Sequence, residues 1–424
     1  MHDLRMIREQ LPALRDGMRR RGMLHVLDDI LARTEALEKE RRSLLAAVEE
    51  RKKKRNVVSE DVGRRKRRGE DCEALVLESR ALGEEIEALD GRLAAVQTAL
   101  DGLLLEIPNV TLSDVPEGDA ENNRVARTWG SPRASDGVRP HWEIAERHGL
   151  IDFVRGTKIS GSGFVAYRGQ GARLQRALMQ FMLDLHTREH GYEEVWIPSL
   201  VNRASMVGTT QLPKFEDDMY ALRDESLYLI PTAEVPVTNL YRDETLEAAD
   251  LPKAFTAYSP CFRREAGSAG KDTRGILRMH QFDKVELVRY VVPERSPSEH
   301  ELLTGHAEAV LQRLGLPYRV VVLASGDTGF GSAKTYDLEV WAPGVGAWLE
   351  VSSCSNFGEF QARRMNLRYR PGHGEKPRFV HTLNGSGLAF PRLVASILEH
   401  YQQPDGSVMV PEALRSAFGA ERIG

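Results

Sequence analysis

The sequence of 424 residues predicts an α+β protein, in which a long helical arm precedes a body built on a mostly antiparallel β-sheet. Apolar residues recur at heptad spacing in two stretches before residue 108, which is typical of a coiled coil. Residues 108–140 are rich in Pro, Gly, Asp and Asn and predict a linker. Beyond residue 190, several strand-like runs follow one another without an intervening helix, which favours antiparallel pairing over a doubly wound parallel sheet. We therefore expect two domains, 1–108 and 109–424.

The arm is the first predicted element, and its second half has the clearer pattern. Two heptad series run in parallel there: Leu75, Leu82, Leu89, Val96 and Leu103, with Ile86, Leu93, Leu100 and Ile107. Upstream, similar three-four spacing joins Leu27, Ile30, Thr34, Leu37, Leu44 and Val48, interrupted by Arg41. Two helices of similar length within one chain most simply fold back as an antiparallel hairpin.

The elbow of this hairpin is predicted within 57–71, with Gly63 and Gly69 as candidate helix breakers. Residues 51–68 include RKKKR and RRKRR, ten basic residues against Glu60 and Asp61. Such a run is compatible with a solvated helix surface. In a chain of net charge −4 it also suggests a contact for a phosphate backbone, held about 50 to 60 Å from the body if each helix has 35 to 40 residues.

The body begins after the linker with a predicted helix at 172–190, which Gly191 ends. Strands are predicted at 193–197, 226–230, 254–263, 279–292, 318–323, 335–341 and 347–351. A last helix is predicted at 388–402, with Pro391 in its first turn, where proline is tolerated.

Composition excludes several classes of protein. No apolar run is long enough to span a bilayer, and the N-terminus lacks the apolar segment of a secretory signal. Three scattered cysteines predict neither a disulfide framework nor a zinc site, and Cys261 and Cys354 are expected to be small buried thiols. We therefore expect a soluble protein of the reducing cytoplasm.

Familiar nucleotide-binding loops are missing. The sequence has no GxxxxGK[ST], and no GxGxxG leads from a strand into a helix. If a nucleotide binds, side chains must hold its phosphates, and the planar forks of arginines suit that task.

A predicted hairpin offers such side chains. Arg263 and Glu265 stand two apart on a predicted strand and should share one face. On the returning strand Arg278, Phe282 and Glu286 alternate, and the loop between contributes Lys271, Asp272 and Arg274. An arginine, an aromatic ring and a carboxylate can serve a phosphate, a purine and an ammonium or hydroxyl group. A lone Arg-x-Glu pair is also compatible with a solvent-side salt bridge.

Four motifs together resemble the catalytic domain of the bacterial-type seryl-tRNA synthetase family, a class II family. They are SPCFRREAGSAGKDTRGILRMHQFDKVELV from Ser259, TAE from Thr232, EVSS from Glu350 and NGSGLAFPR from Asn384. HWEIAERHGLIDF, GARLQRALMQFMLDLHTREHGY and QLPKFEDDMY also resemble segments of this family, in the same order. The first hundred residues resemble its tRNA-binding arm.

The resemblance implies an ATP site. Arg263 would contact the α-phosphate and the amino-acid carboxylate, Glu265 the adenine amino group, and Phe282 the adenine ring. Arg278 would support the phosphates and Arg392 would hold the γ-phosphate, so these two and Arg263 are the implied catalytic residues. The whole implied ATP set is Arg263, Arg264, Glu265, Arg278, Phe282, Glu350, Val351, Ser352, Ser353 and Arg392, with Mg²⁺ on Glu350 and Ser353. Arg264 is expected to face the opposite way from its neighbours.

The resemblance also implies a serine site, formed by Thr232, Ala233, Glu234, Arg263, Glu286, Asn384 and Ser386. A small hydroxyl amino acid cannot be selected by apolar area, so its pocket must offer polar partners. For Ser386, capping of the last helix is an alternative and compatible role.

The implied activity is ATP- and Mg²⁺-dependent activation of L-serine and its transfer to the 3′-terminal adenosine of tRNA(Ser), and of tRNA(Sec) where the organism has it. The resemblance further implies a homodimer whose interface is built on helix 172–190 and the strand that follows it, through Pro198. Neither zinc nor a membrane is expected, because the sequence has no zinc-ligand cluster and no spanning apolar run. Two alternatives stay open: a ligase that loads a carrier protein, and a non-catalytic nucleic-acid-binding protein. Thr210 and Pro391 stand where relatives often have glycine, so closure of loop 209–215 is expected to differ in rate.

Overall fold

The computed structural model describes residues 1–224, 226–266 and 274–424, so Lys271 and Asp272 of the predicted loop lie outside the described residues. The helices are α1 (Leu4–Glu9), α2 (Leu11–Arg20), α3 (Leu24–Arg68), α4 (Glu73–Glu106), α5 (His141–Arg147), α6 (Phe153–Ser160), α7 (Gln170–Arg188), α8 (Arg203–Gly208), α9 (Glu234–Thr238), α10 (Ser296–Arg313), α11 (Phe360–Met365), α12 (Phe390–Tyr401) and α13 (Glu412–Phe418). The strands are β1 (Arg124–Trp129), β2 (Ile151–Asp152), β3 (Ala166–Tyr167), β4 (Glu193–Glu194), β5 (Leu200–Asn202), β6 (Leu227–Leu229), β7 (Thr245–Glu247), β8 (Lys253–Phe262), β9 (Gln281–Val291), β10 (Tyr318–Val322), β11 (Lys334–Ala342), β12 (Ala347–Gly358), β13 (Arg368–Arg370), β14 (Arg378–Phe379), β15 (His381–Ala389), β16 (Val408–Met409) and β17 (Arg422–Ile423).

Contacts between Cα atoms divide the chain into two compact units, Met1–Pro108 and Asn109–Gly424. Among the described residues, no helix combines the length and the apolar character needed to cross a membrane.

The first unit contains the predicted helical hairpin. Helices α3 and α4 pack side by side, and their buried apolar side chains are Leu27, Leu31, Leu44, Val48, Val58, Leu82, Ile86, Val96, Leu100, Leu103 and Leu104. Ion pairs join the two helices, from Arg51 to Glu85 at 2.6 Å and from Lys54 to Glu78 at 3.0 Å. The heptad pattern missed Glu38, whose side chain is only 2% exposed and is paired with Arg41 at 2.7 Å. A buried acid at a seam position is tolerated because a cation lies beside it.

The predicted elbow was too long. Helix α3 continues through Gly63 to Arg68, so Gly63 does not break the helix. A glycine within a long helix costs only about 1 kcal/mol, which the surrounding turns can absorb. The helix ends at Gly69, whose φ of 70° is left-handed, and α4 begins at Glu73. Four basic residues in the last turn of α3 stabilise this C-terminus, because positive charges interact favourably with the negative end of the helix dipole.

The second unit is built on a mostly antiparallel sheet, as predicted. In the described part of the chain, eight strands pair in the order β1-β10-β11-β12-β15-β9-β8-β4, and all neighbours are antiparallel except β4 and β8. Strand β1 corrects the prediction of a plain linker at 108–140, since it pairs with β10 along its length. Its five exposed side chains gave the sequence no alternating apolar pattern.

Strand β9 shows how the sheet separates its core from its cavity. Val285 and Leu287 point to one face and pack in the cluster shared with helices α7, α10 and α12. Lys284, Glu286 and Val288 alternate with them and point to the other face. Val288 belongs to a second apolar cluster, whereas Lys284 and Glu286 line a cavity. The strand therefore presents apolar side chains to the main core on one face and charged side chains to the cavity on the other.

Strand β15 was not predicted. Its nine residues include Asn384 and Ser386, and Ser386 lies opposite Glu286 on β9. The helix predicted at 388–402 begins only at Phe390, with Ala389 at its N-cap. The alternative role of Ser386 as a helix N-cap was therefore wrong. Its glycine neighbours reduce strand propensity, so the pattern resembled a turn before a helix.

Candidate active site

One cavity of about 710 Å³ collects most of the predicted site residues. It lies in the second unit. The predicted residues that line it are Thr232, Glu234, Arg263, Glu265, Arg278, Phe282, Glu286, Glu350, Val351, Ser353, Asn384, Ser386 and Arg392. Thr209, Thr210, Lys284, Pro391 and the segment 276–279 also line it.

Three predicted residues lie outside this lining. Arg264 is exposed, and its backbone N–H donates to the Asp218 carbonyl at 2.9 Å. Ala233 is buried just before helix α9. Ser352 is buried as well, and its hydroxyl donates to the Ser386 carbonyl at 2.7 Å. Ser352 therefore touches the cavity only through the backbone that carries Ser386.

The strand argument for Arg263 and Glu265 was wrong, although both side chains reach the cavity. Strand β8 ends at Phe262, and Glu265 has a left-handed φ of 52°. The backbone at Arg263 is held by His280, whose carbonyl accepts from the Arg263 N–H at 2.9 Å and whose Nδ1 donates to the Arg263 carbonyl at 3.0 Å. His280 thus has a structural role, since it fixes the backbone of Arg263.

Charged and aromatic side chains are grouped at one end of the cavity. The Arg263 guanidinium lies 5.2 Å from the centre of the Phe282 ring. Arg278 forms an ion pair with Glu265, and both side chains are more than two-thirds buried. The charges of Arg278 and Glu265 thus satisfy one another. A nucleotide would exchange such contacts for its phosphates and its purine ring.

An irregularity in β12 brings Glu350 and Ser353 together. In the pairing with β11, Leu338 faces Ser352 and Glu339 faces Glu350, so Val351 is an extra residue, a β-bulge. Residues three apart normally point to opposite faces of a strand, and one extra residue restores them to the same face. Both consequently line the cavity. Arg392 donates to the Glu350 carbonyl at 2.8 Å and lies 3.4 Å from its carboxylate.

This corner fits a hard divalent cation. Asp337 lies directly opposite Ser353, and its Oδ1 is buried with no hydrogen-bond partner among the described residues. Burial, reinforced by the nearby Glu350 carboxylate, raises the pKa of Asp337 well above its ordinary value. Carboxylate and hydroxyl oxygens are the ligands that Mg²⁺ prefers, and a cation would relieve the repulsion between the two acids. Across the residues that the structure describes, no group of three or more His, Cys, Asp or Glu is placed to hold a metal, and the absence of zinc stays a prediction.

The other end of the cavity is a buried polar pocket. The Thr232 hydroxyl donates to Glu286 at 3.1 Å, and the Glu234 backbone N–H donates to the Thr232 hydroxyl at 3.1 Å. Lys284 forms an ion pair with Glu286 at 2.5 Å, with side-chain exposures of 8% and 1%. Burial raises the pKa of Glu286, and Lys284 opposes that effect.

Glu234 is supported from behind by a chain of hydrogen bonds. Gln361 donates to its carboxylate at 2.8 Å, and Thr382 donates to the Gln361 oxygen at 2.7 Å. Burial, followed by the neighbouring Glu286, raises the pKa of Glu234 to about 7. Two neighbouring buried carboxyl groups of this kind can accept a small cationic ligand.

Sequence reasoning missed Lys284, Gln361 and Asp337. Lys284 could have been found, because it stands two residues before Glu286 on the same strand face. Gln361 lies on helix α11 and Asp337 on strand β11, both outside the sequence motifs. Only the pairing of β11 with β12 and the packing of α11 reveal their positions.

Thr210 lies at the cavity in a left-handed conformation, with φ of 71°. A β-branched residue rarely adopts this region, and glycine does so without strain. The expectation that Thr210 constrains its loop therefore has a local conformational basis. Pro391 lies in the first turn of α12, as predicted.

Two family profiles match this sequence. The family described as "Seryl-tRNA synthetase N-terminal domain" matches residues 1–111. The family described as "tRNA synthetase class II core domain (G, H, P, S and T)" matches residues 214–401.

Curated relatives match from end to end. The serine–tRNA ligase of Gemmatimonas aurantiaca is 63% identical, over 99% of this chain and 99% of its own length. The serine–tRNA ligase of Pelotomaculum thermopropionicum is 55% identical, over the full length of both chains.

Solved structures agree over the same span. Seryl-tRNA synthetase from Pyrococcus horikoshii, complexed with ATP, is 38% identical with a TM-score of 0.94, and the match covers 100% of this chain and 99% of that chain. The cytoplasmic serine-tRNA ligase from Naegleria fowleri, in complex with AMP, is 28% identical with a TM-score of 0.89, covering 100% and 98%.

Proposed function

This chain belongs to the seryl-tRNA synthetase family, and we propose that it is a serine–tRNA ligase. It activates L-serine with ATP to form seryl-adenylate, and it transfers the seryl group to the 3′-terminal adenosine of tRNA(Ser). The observation that carries this proposal is a single cavity with arginines and an aromatic ring at one end and buried carboxylates with hydroxyls at the other.

The carboxylate end selects serine. Glu234 and Glu286 accept from the ammonium group of the amino acid, and Ser386 and Thr232 lie beside them to pair with its hydroxyl. Serine competes with Lys284 for Glu286, because both present a cation to the same carboxylate. Alanine would leave these buried groups unpaired, which costs about 1 to 3 kcal/mol for each group. Threonine would need room for an additional methyl group.

The arginine end holds ATP. Arg263, Arg278 and Arg392 bind the phosphates, Phe282 stacks on adenine, and Glu265 accepts from the adenine amino group. A carboxylate oxygen of serine attacks the α-phosphorus, the bond to the β-phosphate oxygen breaks, and pyrophosphate leaves. The arginines position the reactants and stabilise the developing negative charge.

Mg²⁺ is the proposed companion of ATP. Glu350 and Ser353 would hold it, with Asp337 as a neighbouring acid. When bound, the ion would neutralise phosphate charge and orient the triphosphate.

The helical arm, residues 1–108, is the proposed contact for tRNA(Ser), and for tRNA(Sec) in an organism that has it. Helix α7 is the proposed core of a homodimer interface, and the cytoplasm is the proposed location. The carrier-protein ligase is disfavoured because the arm retains both long helices and its basic run. The non-catalytic alternative is disfavoured because Arg263, Glu265, Glu350 and Arg392 all line the cavity.

Exchange of pyrophosphate into ATP, measured with each common amino acid in turn, tests the proposal. We expect rapid exchange with serine alone, with kcat/KM on the order of a thousandfold above that for alanine or threonine. Faster exchange with any other amino acid would overturn the assignment.

A further inference from the structure

A buried histidine connects the segment that lines the ATP end of the cavity with the helix that carries Arg392. His141 is the first residue of α5 and is fully buried. Its Nε2 accepts from the Ile276 backbone N–H at 3.3 Å, and its Nδ1 lies 2.8 Å from Glu399 Oε1 on α12. Because a backbone N–H can only donate, Nε2 is the acceptor and the proton lies on Nδ1, facing the carboxylate.

Glu399 is fixed from several directions. It is fully buried, and its Oε1 also accepts from the His141 backbone N–H at 2.9 Å. Its Oε2 accepts from the backbone of Gly344 at 2.8 Å and of Val345 at 3.3 Å, in the turn between β11 and β12. A carboxylate held by four donors gives the histidine ring one orientation.

The segment that begins at Ile276 forms part of the cavity wall. Residues 276–279, which include Arg278, line the cavity. The Arg392 Nε donates to the Leu277 carbonyl at 3.3 Å, so α12 holds this segment at a second point. Gly275 has a left-handed φ of 72°, and a Cβ there would lie 2.2 Å from His141 Nε2. A side chain at position 275 would clash with the His141 ring, so the close approach of the backbone requires glycine.

Resting on the proposed function, we propose that His141 is a positioning residue for ATP. Its Nε2 sets the position of the segment that presents Arg278 to the phosphates, and Glu399 holds the ring in the required tautomer. The effect belongs to the nucleotide end of the cavity, because His141 is hydrogen-bonded directly to Ile276 of the lining segment, whereas the serine pocket is built on β9, β15 and α9.

Two substitutions separate the functions of the two ring nitrogens. The amide of His141→Gln extends to the position of Nε2 and can still accept from Ile276. The amide of His141→Asn reaches only the position of Nδ1 and can still donate to Glu399. We expect His141→Asn to raise the KM for ATP roughly five- to tenfold, the effect of one buried neutral hydrogen bond. We expect His141→Gln to stay within about twofold of wild type, and the KM for serine to change less than twofold in both.

Pyrophosphate exchange would be measured below the melting temperature of the less stable variant. Equal KM values for ATP in the two variants, or an equal shift in the KM for serine, would overturn the positioning role. Failure of both variants to fold would also overturn it, by assigning His141 to the core alone. Wild-type enzyme without serine-dependent exchange would instead contradict the proposed function, so the two failures are distinguishable.

Discussion

At the scale of single residues, Glu234 is the group whose ionisation should control serine binding. Its pKa is raised to about 7 by burial and by Glu286, so the carboxyl is protonated and neutral below that pH and ionised above it. The serine ammonium requires the ionised form. We therefore expect the KM for serine to fall as pH rises from 6 to 7.5, by up to about tenfold per unit below the pKa. Pyrophosphate exchange at saturating ATP, repeated at each pH, would measure this KM.

Glu234→Gln supplies the control. The amide cannot titrate, so this variant should have a high KM for serine that is flat over the same pH range. A wild-type KM without slope, or a variant that retains the slope, would remove Glu234 from the ammonium site.

The corner formed by Glu350, Ser353 and Asp337 predicts the response to Mg²⁺. Asp337→Asn removes a buried acid whose pKa is raised well above its ordinary value, and which a cation would return to the ionised form. We expect the Mg²⁺ concentration for half-maximal exchange to rise several-fold. Glu350→Gln should raise it further, because this side chain is the proposed direct ligand.

Titration of exchange rate with Mg²⁺, after removal of the metal by a chelator, would measure both variants. Thermal melting would show that they remain folded. An Asp337→Asn enzyme with unchanged Mg²⁺ dependence would show that this acid does not act on the cation.

Which residues could be predicted depended on where their partners lie in sequence. Phe282 and Glu286 were predicted because one strand fixes them at even spacing. Glu350 and Ser353 came from a family resemblance, because three-residue spacing on a strand argues against a shared face until the bulge at Val351 is known. Asp337 lay outside every motif, and His141 lay in a family-like segment that gave it no role, since both roles arise from contacts with distant segments.

At the scale of elements, the two basic runs of the arm differ in their surroundings. Arg51 and Lys54 in the first run pair with Glu85 and Glu78 of α4. The residues of 64–68 are all exposed, and their ion pairs, to Asp61 and Glu70, do not reach α4. We expect replacement of the five residues 64–68 by Gln to weaken tRNA binding strongly. The slope of log Kd against log salt should flatten by about one for each phosphate that the arm no longer neutralises.

Replacement of the five basic residues 51–55 by Gln removes the same number of positive charges and serves as the matched control. It should weaken tRNA binding less and lower the melting temperature of the arm more, because it removes ion pairs between the helices. Equal losses of tRNA binding, or no loss in either variant, would return the 64–68 run to a solvated helix surface.

Elements were predicted well where periodicity was strong. Helix α7 and strands β8 and β9 differ from the predicted limits by no more than two residues. Leu174 and Leu178 share one face of α7, and Val285 and Leu287 share one face of β9. Strand β15 was missed because its glycines give it a turn-like composition, although burial on nearly every residue makes it central in the sheet. Strand β1 was missed because an exposed edge strand does not need alternating apolar and polar residues.

At the scale of the whole molecule, the two compact units predict that serine activation survives without the distal arm. Every proposed ligand for ATP and serine lies in Asn109–Gly424. Arg92 lies 3.4 Å from Glu40, so the chain can be closed across the hairpin at this level. We expect replacement of 39–92 by a short turn to leave exchange with serine nearly unchanged and to reduce charging of tRNA(Ser) strongly.

Exchange and aminoacylation would be measured on the same preparation, with full-length protein as the control. Charging of tRNA(Ser) at wild-type efficiency by the shortened chain would show that recognition lies elsewhere. Loss of both activities would show that the units are not energetically independent.

The antiparallel pairing of α3 with α4 has a consequence for how the arm can vary. Glu40 of α3 pairs with Arg92 of α4, and Arg51 of α3 pairs with Glu85 of α4, so the two helices run past one another in opposite directions. Excising seven residues from each helix at matching levels would shorten the hairpin by about 10.5 Å and keep the apolar seam in phase. The length of the arm can therefore change by whole heptads, while the residues at its base and its tip stay the same.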